Sequence, residues 1–319
     1  MANPSYNIEK VYKEINTIDG YFGIRDGGSV EFSKGPIHKY CHYRNNSGND
    51  KCYDYLEMAS SGVIYVLNTL KNKLRLEDDK LAEYAILWLR YKLNQKAPYY
   101  DTQLDEFYTN YIQTNKYYNN KINNSVNMTY KDIIDTKKDL MDIKKMTKFS
   151  YPFKILLFLY NEINKNSLNC SKHSNYPKEF AKEFDILNKD YNNIEDSSYN
   201  KMLSRLSDDY NNLKNKYDNK NSCNFPPLPI IEPKKRPAQN PVEISEKGSG
   251  QILGQTLEVT PSSSSISTTL IPALSVVSVI PVFLGIAYKY SLFGVDKLFQ
   301  RQYLRTKLKN VKKKMKLNI

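Results

Sequence analysis

A long uncharged stretch near the C-terminal end limits how this chain can fold more than any other feature of its sequence. No Asp, Glu, Lys or Arg lies between Glu258 and Lys289, and the most apolar part runs from Thr269 to Tyr288. A helix of these twenty residues would be about 30 Å long, which is the hydrocarbon thickness of a bilayer. Pro272 and Pro281 would weaken a soluble helix but are better tolerated in lipid. The sequence therefore predicts one transmembrane helix, over residues 266–288, rather than a buried core helix.

Basic residues are concentrated beyond this stretch. Residues 289–319 carry ten Lys or Arg and one acidic residue, whereas the other 288 residues carry 37 basic and 33 acidic ones. The net charge of +13 therefore comes mainly from the C-terminal end, and no nucleic-acid partner is indicated, because a nucleic-acid-binding domain would show a basic face of its own. The positive-inside rule places residues 289–319 in the cytoplasm as a basic tail and the N-terminal domain in a lumen or outside the cell.

A basic run beside a bilayer attracts anionic lipid, at about 1 kcal/mol for each base near the surface. The tail is therefore predicted either to bind an anionic lipid or an acidic cytoskeletal partner, or only to fix the topology of the chain. The tail residues concerned are Lys307, Lys309, Lys312, Lys313, Lys314 and Lys316.

Residues 1–220 are numerous enough to bury a core, and their apolar side chains recur at helical spacing. The segment Leu81–Leu93 is apolar nearly all round and should be the most central helix, with Asp78 and Asp79 in its first turn and Pro98 beyond its end. No strong strand alternation is present, so the predicted fold class of this domain is all-α. Other helical stripes are predicted at 8–15, 56–70, 133–143, 155–160, 180–187 and 199–217.

Two segments within residues 1–220 are predicted to be loops: Gly20–Asn49, rich in Gly and Asn, and Tyr117–Thr129, rich in Asn. Loops tolerate change and often carry function, so both are candidates for contacts with partners. Residues 221–265 are rich in proline and serine, with six prolines between Pro226 and Pro241. Such a composition favours extended polyproline conformation or plain disorder, and we expect a stalk that holds the domain off the membrane.

The four cysteines all precede the predicted span, which fits two disulfides in an oxidising compartment. They are Cys41, Cys52, Cys170 and Cys223, and three pairings are possible. Cys41 and Cys52 would close a short loop, but either could equally pair with Cys170 or Cys223, and buried free thiols are the alternative. His38 and His42 lie near Cys41 and Cys52, but their spacing matches no familiar zinc motif, so no metal is predicted.

No pattern of residues points to catalysis. The sequence holds three histidines, His38, His42 and His173, and none belongs to a His-Glu-x-x-His motif. Phosphate-cradling and dinucleotide-binding glycine motifs are also missing from the sequence, so neither a catalytic residue nor a cofactor is predicted. The acidic pairs Asp78-Asp79 and Asp208-Asp209 are expected to be solvated surface.

Three segments resemble a known family. They are LAEYAILWLRYKLNQ at Leu81–Gln95, the Cys52-Tyr-Asp-Tyr-Leu entry to the preceding helix, and YKYSLFGVDKLFQRQYLR at Tyr288–Arg305, followed by a lysine-rich end. All three are similar to the Plasmodium interspersed repeat (PIR) family of variant surface antigens, in its rodent-parasite branch. The resemblance covers nearly the whole chain. It implies a helical ectodomain with disulfides, a single span, a short cytoplasmic tail and no enzymatic activity.

The function that this resemblance implies is that of an exported membrane antigen, which serves antigenic variation, immune evasion and contact with a host cell-surface protein. The expected location is a membrane of the infected red cell, with the bilayer itself as a partner. The N-terminal 21 residues are polar, so the internal span is expected to act as the targeting signal. The alternative is a membrane-tethered structural or trafficking adaptor that acts through its basic tail.

Overall fold

A computed structural model of the protein describes residues 6–25, 30–42, 51–123, 127–165, 168–169, 173, 175–218 and 224–235. Contacts divide the chain into two units, Met1–Gln239 and Asn240–Ile319, and all the described residues belong to the first. This unit is built mainly from helices, with one two-stranded sheet in its described part, so the predicted helical class is confirmed for it.

In the described part of the chain, the α-helices are α1 (Ile8–Asp19), α2 (Tyr55–Leu74), α3 (Asp78–Leu93), α4 (Leu104–Phe107), α5 (Tyr130–Asp135), α6 (Ser150–Asn164), α7 (Asn175–Asn188) and α8 (Ser198–Tyr217). Short 3-10 helices cover Gly35–Tyr40, Tyr99–Asp101, Lys116–Asn119, Lys138–Leu140 and Lys144–Phe149, and one π-helical turn covers Tyr108–Ile112. The sheet consists of β1 (Phe22–Arg25) and β2 (Val30–Ser33), which pair antiparallel with Phe22 opposite Ser33.

Helix α3 lies at the centre of the domain, as its sequence predicts. Every residue from Leu81 to Leu93 is buried, and the helix packs against α2, α5 and α6. It meets α2 at Gly62, where an added Cβ atom would lie 2.1 Å from the ring of Trp88. Gly62 is therefore needed so that the indole can lie directly against the α2 backbone.

Local sequence sets the limits of these helices. The Asp54 side chain caps α2 by accepting a 2.8 Å hydrogen bond from the Glu57 amide, and the Ser197 hydroxyl caps α8 in the same way. Helix α3 ends at Leu93, and Pro98 follows in the connecting segment, as predicted. The buried guanidinium of Arg90 donates to the carbonyl oxygens of the segment that follows Pro98, so this turn is tied to the core.

The short sheet was not predicted, because four-residue strands are too short to show a clear alternation. It lies in the predicted loop Gly20–Asn49 and is fixed by burial of Phe22, whose ring packs edge-on against Tyr55 and Trp88. The buried ammonium of Lys92 donates to the Phe22 carbonyl oxygen over 2.8 Å and pairs with Asp19. The hairpin is thus anchored to α3 from within the core.

Residues 224–235, which the sequence analysis assigns to the stalk, lie extended along the helical domain. Phe225 is buried, and the Tyr210 hydroxyl donates a 2.8 Å hydrogen bond to the Pro226 carbonyl oxygen. Further on, the Lys234 amide donates to the Asn193 carbonyl oxygen over 2.8 Å. Proline is disfavoured in the interior of a helix, but its carbonyl oxygen can accept a hydrogen bond, as that of Pro226 does here. We call residues 224–235 the docked segment.

Among the described residues, no helix is both long and apolar enough to cross a bilayer. The predicted transmembrane helix 266–288 and the basic tail 289–319 lie outside those residues, as does most of the predicted stalk 221–265. All three stay predictions.

Candidate interaction surface

A disulfide between Cys41 and Cys52 joins the 3-10 helix Gly35–Tyr40 to the segment before α2, with the two Cα atoms 5.1 Å apart. The sequence left three pairings of the four cysteines open, and the structure contains the bond between Cys41 and Cys52 that closes the short loop. Cys170 and Cys223 lie outside the described residues, so a second disulfide stays a prediction.

Hydrogen bonds also fasten this 3-10 helix to α2. The Ser61 hydroxyl donates to the Ile37 carbonyl oxygen over 2.5 Å, and the Tyr65 hydroxyl donates to the Pro36 carbonyl oxygen over 2.6 Å. The Cys52 amide donates to Nδ1 of His38 over 3.1 Å. Burial, helped by the charge of Lys51, lowers the pKa of His38, which favours the neutral ring that an acceptor at Nδ1 requires.

These contacts also occupy the groups considered as zinc ligands. The sulfurs of Cys41 and Cys52 are bonded to each other, and Nδ1 of His38 accepts from the backbone. In the part of the chain that the structure describes, no group of three or more His, Cys, Asp or Glu is placed to hold a metal ion.

Four tyrosine rings form a continuous row over this region. The ring centroids of Tyr21 and Tyr65 are 5.5 Å apart, those of Tyr65 and Tyr40 are 4.8 Å apart, and those of Tyr40 and Tyr117 are 5.7 Å apart. The interplanar angles of these pairs are 78°, 64° and 76°, so each pair meets edge to face. Such pairs contribute roughly 0.5–1.5 kcal/mol beyond their buried area. We call these four side chains the tyrosine row.

The tyrosine row joins the two predicted loops, because Tyr21 and Tyr40 belong to Gly20–Asn49 and Tyr117 begins Tyr117–Thr129. The buried side-chain amide of Asn115 strengthens the junction by donating to the Tyr40 carbonyl oxygen over 2.7 Å. Sequence reasoning selected both loops but did not place them together, since their contact depends on how both pack against α2.

Lysines surround the tyrosine row. Nζ of Lys39 lies 5.2 Å from the Tyr40 ring centroid, and Nζ of Lys116 lies 5.5 Å from that of Tyr117. Lys34 follows β2 and donates its amide to the Tyr21 carbonyl oxygen. Lys34, Lys39, Lys51 and Lys116 are exposed, and none forms an ion pair with another described residue. The surface is therefore both basic and aromatic.

The expectation that Asp208-Asp209 is solvated surface is wrong for Asp209. Its carboxylate is fully buried and accepts hydrogen bonds from the hydroxyls of Tyr12, over 2.8 Å, and Tyr84, over 2.9 Å. Burial raises the pKa of Asp209 to about 7, and the charge of Arg205 and the tyrosine hydrogen bonds oppose that rise. Helical spacing alone did not distinguish the buried carboxylate from its half-exposed neighbour.

The three histidines each have a structural role. His38 accepts from the Cys52 amide, the ring of His42 lies edge-on to Tyr117, and that of His173 lies edge-on to Phe158 with the centroids 5.0 Å apart. Glu83, Lys137 and Arg205 form a charged cluster in which Glu83 and Lys137 are buried and the Arg205 side chain is 11% exposed. The exposed lysines and the tyrosine row are therefore the features best placed to meet a partner.

Comparison with solved structures shows which structural class of protein this domain belongs to. It is similar to the structure of a Plasmodium PIR protein ectodomain, with 34% sequence identity and a TM-score of 0.51, over 70% of this chain and 99% of that one. The fold is thus that of a PIR-type helical ectodomain. The family described as Plasmodium variant antigen protein Cir/Yir/Bir matches residues 12–289, and no curated protein matches. The chain belongs to this Plasmodium variant antigen family, which confirms the resemblance seen in its sequence.

Proposed function

We propose that this protein is a membrane-anchored variant antigen whose helical domain is displayed by the parasite toward the host, and that it serves antigenic variation, immune evasion and contact with a host cell surface. The family match carries the proposal. It extends to residue 289 and so includes both the PIR-type domain and the uncharged stretch before Lys289. The family is one of variant antigens and is not known for catalysis.

The structure supports a role in contact rather than chemistry. The tyrosine row joins the described parts of the two loops predicted to meet partners. The Cys41–Cys52 disulfide fastens the first of these loops to the segment before α2, and the lysines of both loops are exposed. A surface whose backbone is fixed loses little conformational freedom on binding, which favours affinity. The partner we propose is a molecule of the host cell surface.

Localisation of a tagged full-length chain tests display and topology together. Antibodies to the helical domain should stain infected cells without permeabilisation, whereas a C-terminal tag should be detected only after it. The protein should also stay in the membrane fraction during alkaline extraction. Staining confined to permeabilised cells would contradict display. A variant with Lys312, Lys313 and Lys314 changed together to Gln would then test the adaptor role of the tail, since its localisation or extractability should change if the tail binds a partner. Full release by alkaline extraction would contradict the anchor.

A further inference from the structure

We propose that the tyrosine row and its surrounding lysines form a binding surface for acidic glycans, that is, for sugars that carry sulfate or carboxylate groups. This inference rests on the proposed function, because it names the class of partner that the same surface would meet on a host cell. It follows from the charge, the ring geometry and the rigidity of the surface.

The charge of the surface is positive and available to a ligand. Lys34, Lys39, Lys51 and Lys116 are exposed without an ion pair to any other described residue. The carboxylates of Asp54 and Glu57, which follow Lys51 in the chain, both face backbone amides at the start of α2. Asp54 accepts from the Glu57 amide over 2.8 Å, and Glu57 is buried and accepts from the Tyr53 amide over 2.5 Å. Lysine ammonium groups are compact charges that suit sulfate and carboxylate oxygens.

The rings of the tyrosine row favour a sugar as the carrier of those anionic groups. Tyrosine gives a large, amphipathic contact area at low cost in side-chain entropy. Tyr21, Tyr65 and Tyr117 are each partly exposed, whereas Tyr40 is 8% exposed and supports them from below. A sugar presents apolar C–H groups beside its hydroxyl and acidic groups, so it can contact ring surfaces and lysines at once.

The same ring geometry disfavours single-stranded nucleic acid, which is the other polyanion that binds lysines and aromatic rings. Proteins of that kind offer ring faces on which successive bases stack. In the tyrosine row each neighbouring pair meets at 64–78°, so consecutive rings do not form parallel platforms. The lysines alone would attract both an acidic glycan and a nucleic acid. The arrangement of the rings is what favours the glycan.

The surface is also held in place before any ligand arrives. The Cys41–Cys52 disulfide, the Ser61 hydroxyl and the Asn115 amide each fix part of its backbone. Tyr118, the neighbour of Tyr117, is fully buried and donates to the Ser60 carbonyl oxygen over 2.9 Å. Weak individual contacts can therefore add up without a large ordering cost.

Binding of the purified full-length chain to immobilised ligands tests the inference. One arm presents heparin oligosaccharides with their desulfated counterpart, and a second presents sialyllactose with lactose. Polyglutamate and a single-stranded oligonucleotide serve as polyanions without the sugar chemistry. We expect binding to at least one acidic glycan, loss of that binding on removal of its acidic groups, and weakening as salt rises. The arm that binds identifies whether sulfate or carboxylate is recognised.

Matched variants locate the surface. Changing Lys34, Lys39 and Lys116 together to Gln should weaken glycan binding about tenfold, equivalent to about 1.4 kcal/mol, because exposed ion pairs are individually modest. Changing Lys178, Lys182 and Lys201 together to Gln removes the same charge from exposed positions of α7 and α8 and should leave binding unchanged. Tyr117→Ala should weaken it, and Tyr191→Ala, at a side chain that is 58% exposed, should not.

Several results would overturn the inference. These are no binding in either glycan arm, equal binding of polyglutamate or the oligonucleotide, and equal loss in the two lysine variants. The chain could also bind host cells equally well before and after removal of their sialic acid and sulfated sugars. That result would contradict glycan binding but not the proposed display. Absence of the domain from the cell surface would contradict the display and leave glycan binding by the purified chain as a separate result.

Discussion

The hydroxyl of Tyr12 in α1 donates a 2.8 Å hydrogen bond to the buried carboxylate of Asp209 in α8, and so connects helices from the two ends of the domain. Tyr84 of α3 donates to the same carboxylate, and the Tyr160 hydroxyl of α6 donates to the Asp209 carbonyl oxygen over 2.8 Å. One residue therefore accepts hydrogen bonds from three other helices. Its charge state should affect the stability of the whole domain.

Because the folded state raises the pKa of Asp209 to about 7, the folded protein holds a proton that the unfolded chain has released between about pH 4 and pH 7. Stability therefore falls as pH rises through this window and levels off above it. Asp209→Asn keeps an acceptor for the tyrosines and should make denaturant unfolding less dependent on pH there. Asp139→Asn, at an exposed carboxylate, is the control. Equal pH slopes for Asp209→Asn and the parent chain would contradict this account.

Gly62→Ala should destabilise the domain by about 1–3 kcal/mol, because the new methyl group overlaps the ring of Trp88 and the core must shift to accept it. Gly35→Ala is the matched control, since nothing lies within 4 Å of its added Cβ atom. Thermal unfolding measures both. Similar melting temperatures for Gly62→Ala and Gly35→Ala would show that α2 and α3 do not pack this closely.

Glu83→Gln should cost about 3–5 kcal/mol, because it leaves the buried charge of Lys137 without its carboxylate partner and takes from Arg205 the nearer of its two, the other being Asp208. Glu77→Gln breaks the pair with Lys80, in which the Glu77 side chain is 65% exposed, and should cost less than about 1 kcal/mol. Urea unfolding of the two variants gives the comparison. A cost for Glu83→Gln as small as that for Glu77→Gln would mean that the cluster is open to water.

The Cys41–Cys52 disulfide should stabilise the domain by about 2–4 kcal/mol, mainly by restricting the unfolded chain. A variant with both residues changed to Ser should melt lower than the parent in the absence of reductant. With reductant present, parent and variant should melt nearly together. If the variant matched the oxidised parent, the bond would contribute nothing to stability.

Phe225→Ala should release the docked segment, because it removes the buried ring that packs 5.8 Å from Tyr210. The cost should be roughly 3 kcal/mol, and tryptic cleavage after Lys234 should become faster. Ile230→Ala, at a side chain that is 82% exposed in the same segment, should leave the cleavage rate unchanged. Equal cleavage of the parent and both variants would mean that this segment does not dock as described.

Much of the helical framework could be predicted from local sequence. The burial of Leu81–Leu93 and the first turn of α3 at Asp78 follow from features that lie within a few residues of each other. The hairpin at Phe22 was missed because its strands are too short to show a period. The docking of residues 224–235 was missed because a proline-rich composition limits backbone conformation but does not say what accepts or donates its hydrogen bonds.

The sequence by itself predicted the helical class and the central position of α3, because apolar periodicity is a property of neighbouring residues, and its motifs pointed to the family. The helix predicted at 133–143 is instead the short α5 followed by the 3-10 helix Lys138–Leu140. Tertiary structure alone decided that Tyr40 meets Tyr117, that Cys41 pairs with Cys52, and that Asp209 is buried while Asp208 is half exposed. Each of these depends on which elements pack together, and so on the burial and hydrogen bonds of residues far apart in the chain. The candidate surface exists only through those long-range contacts.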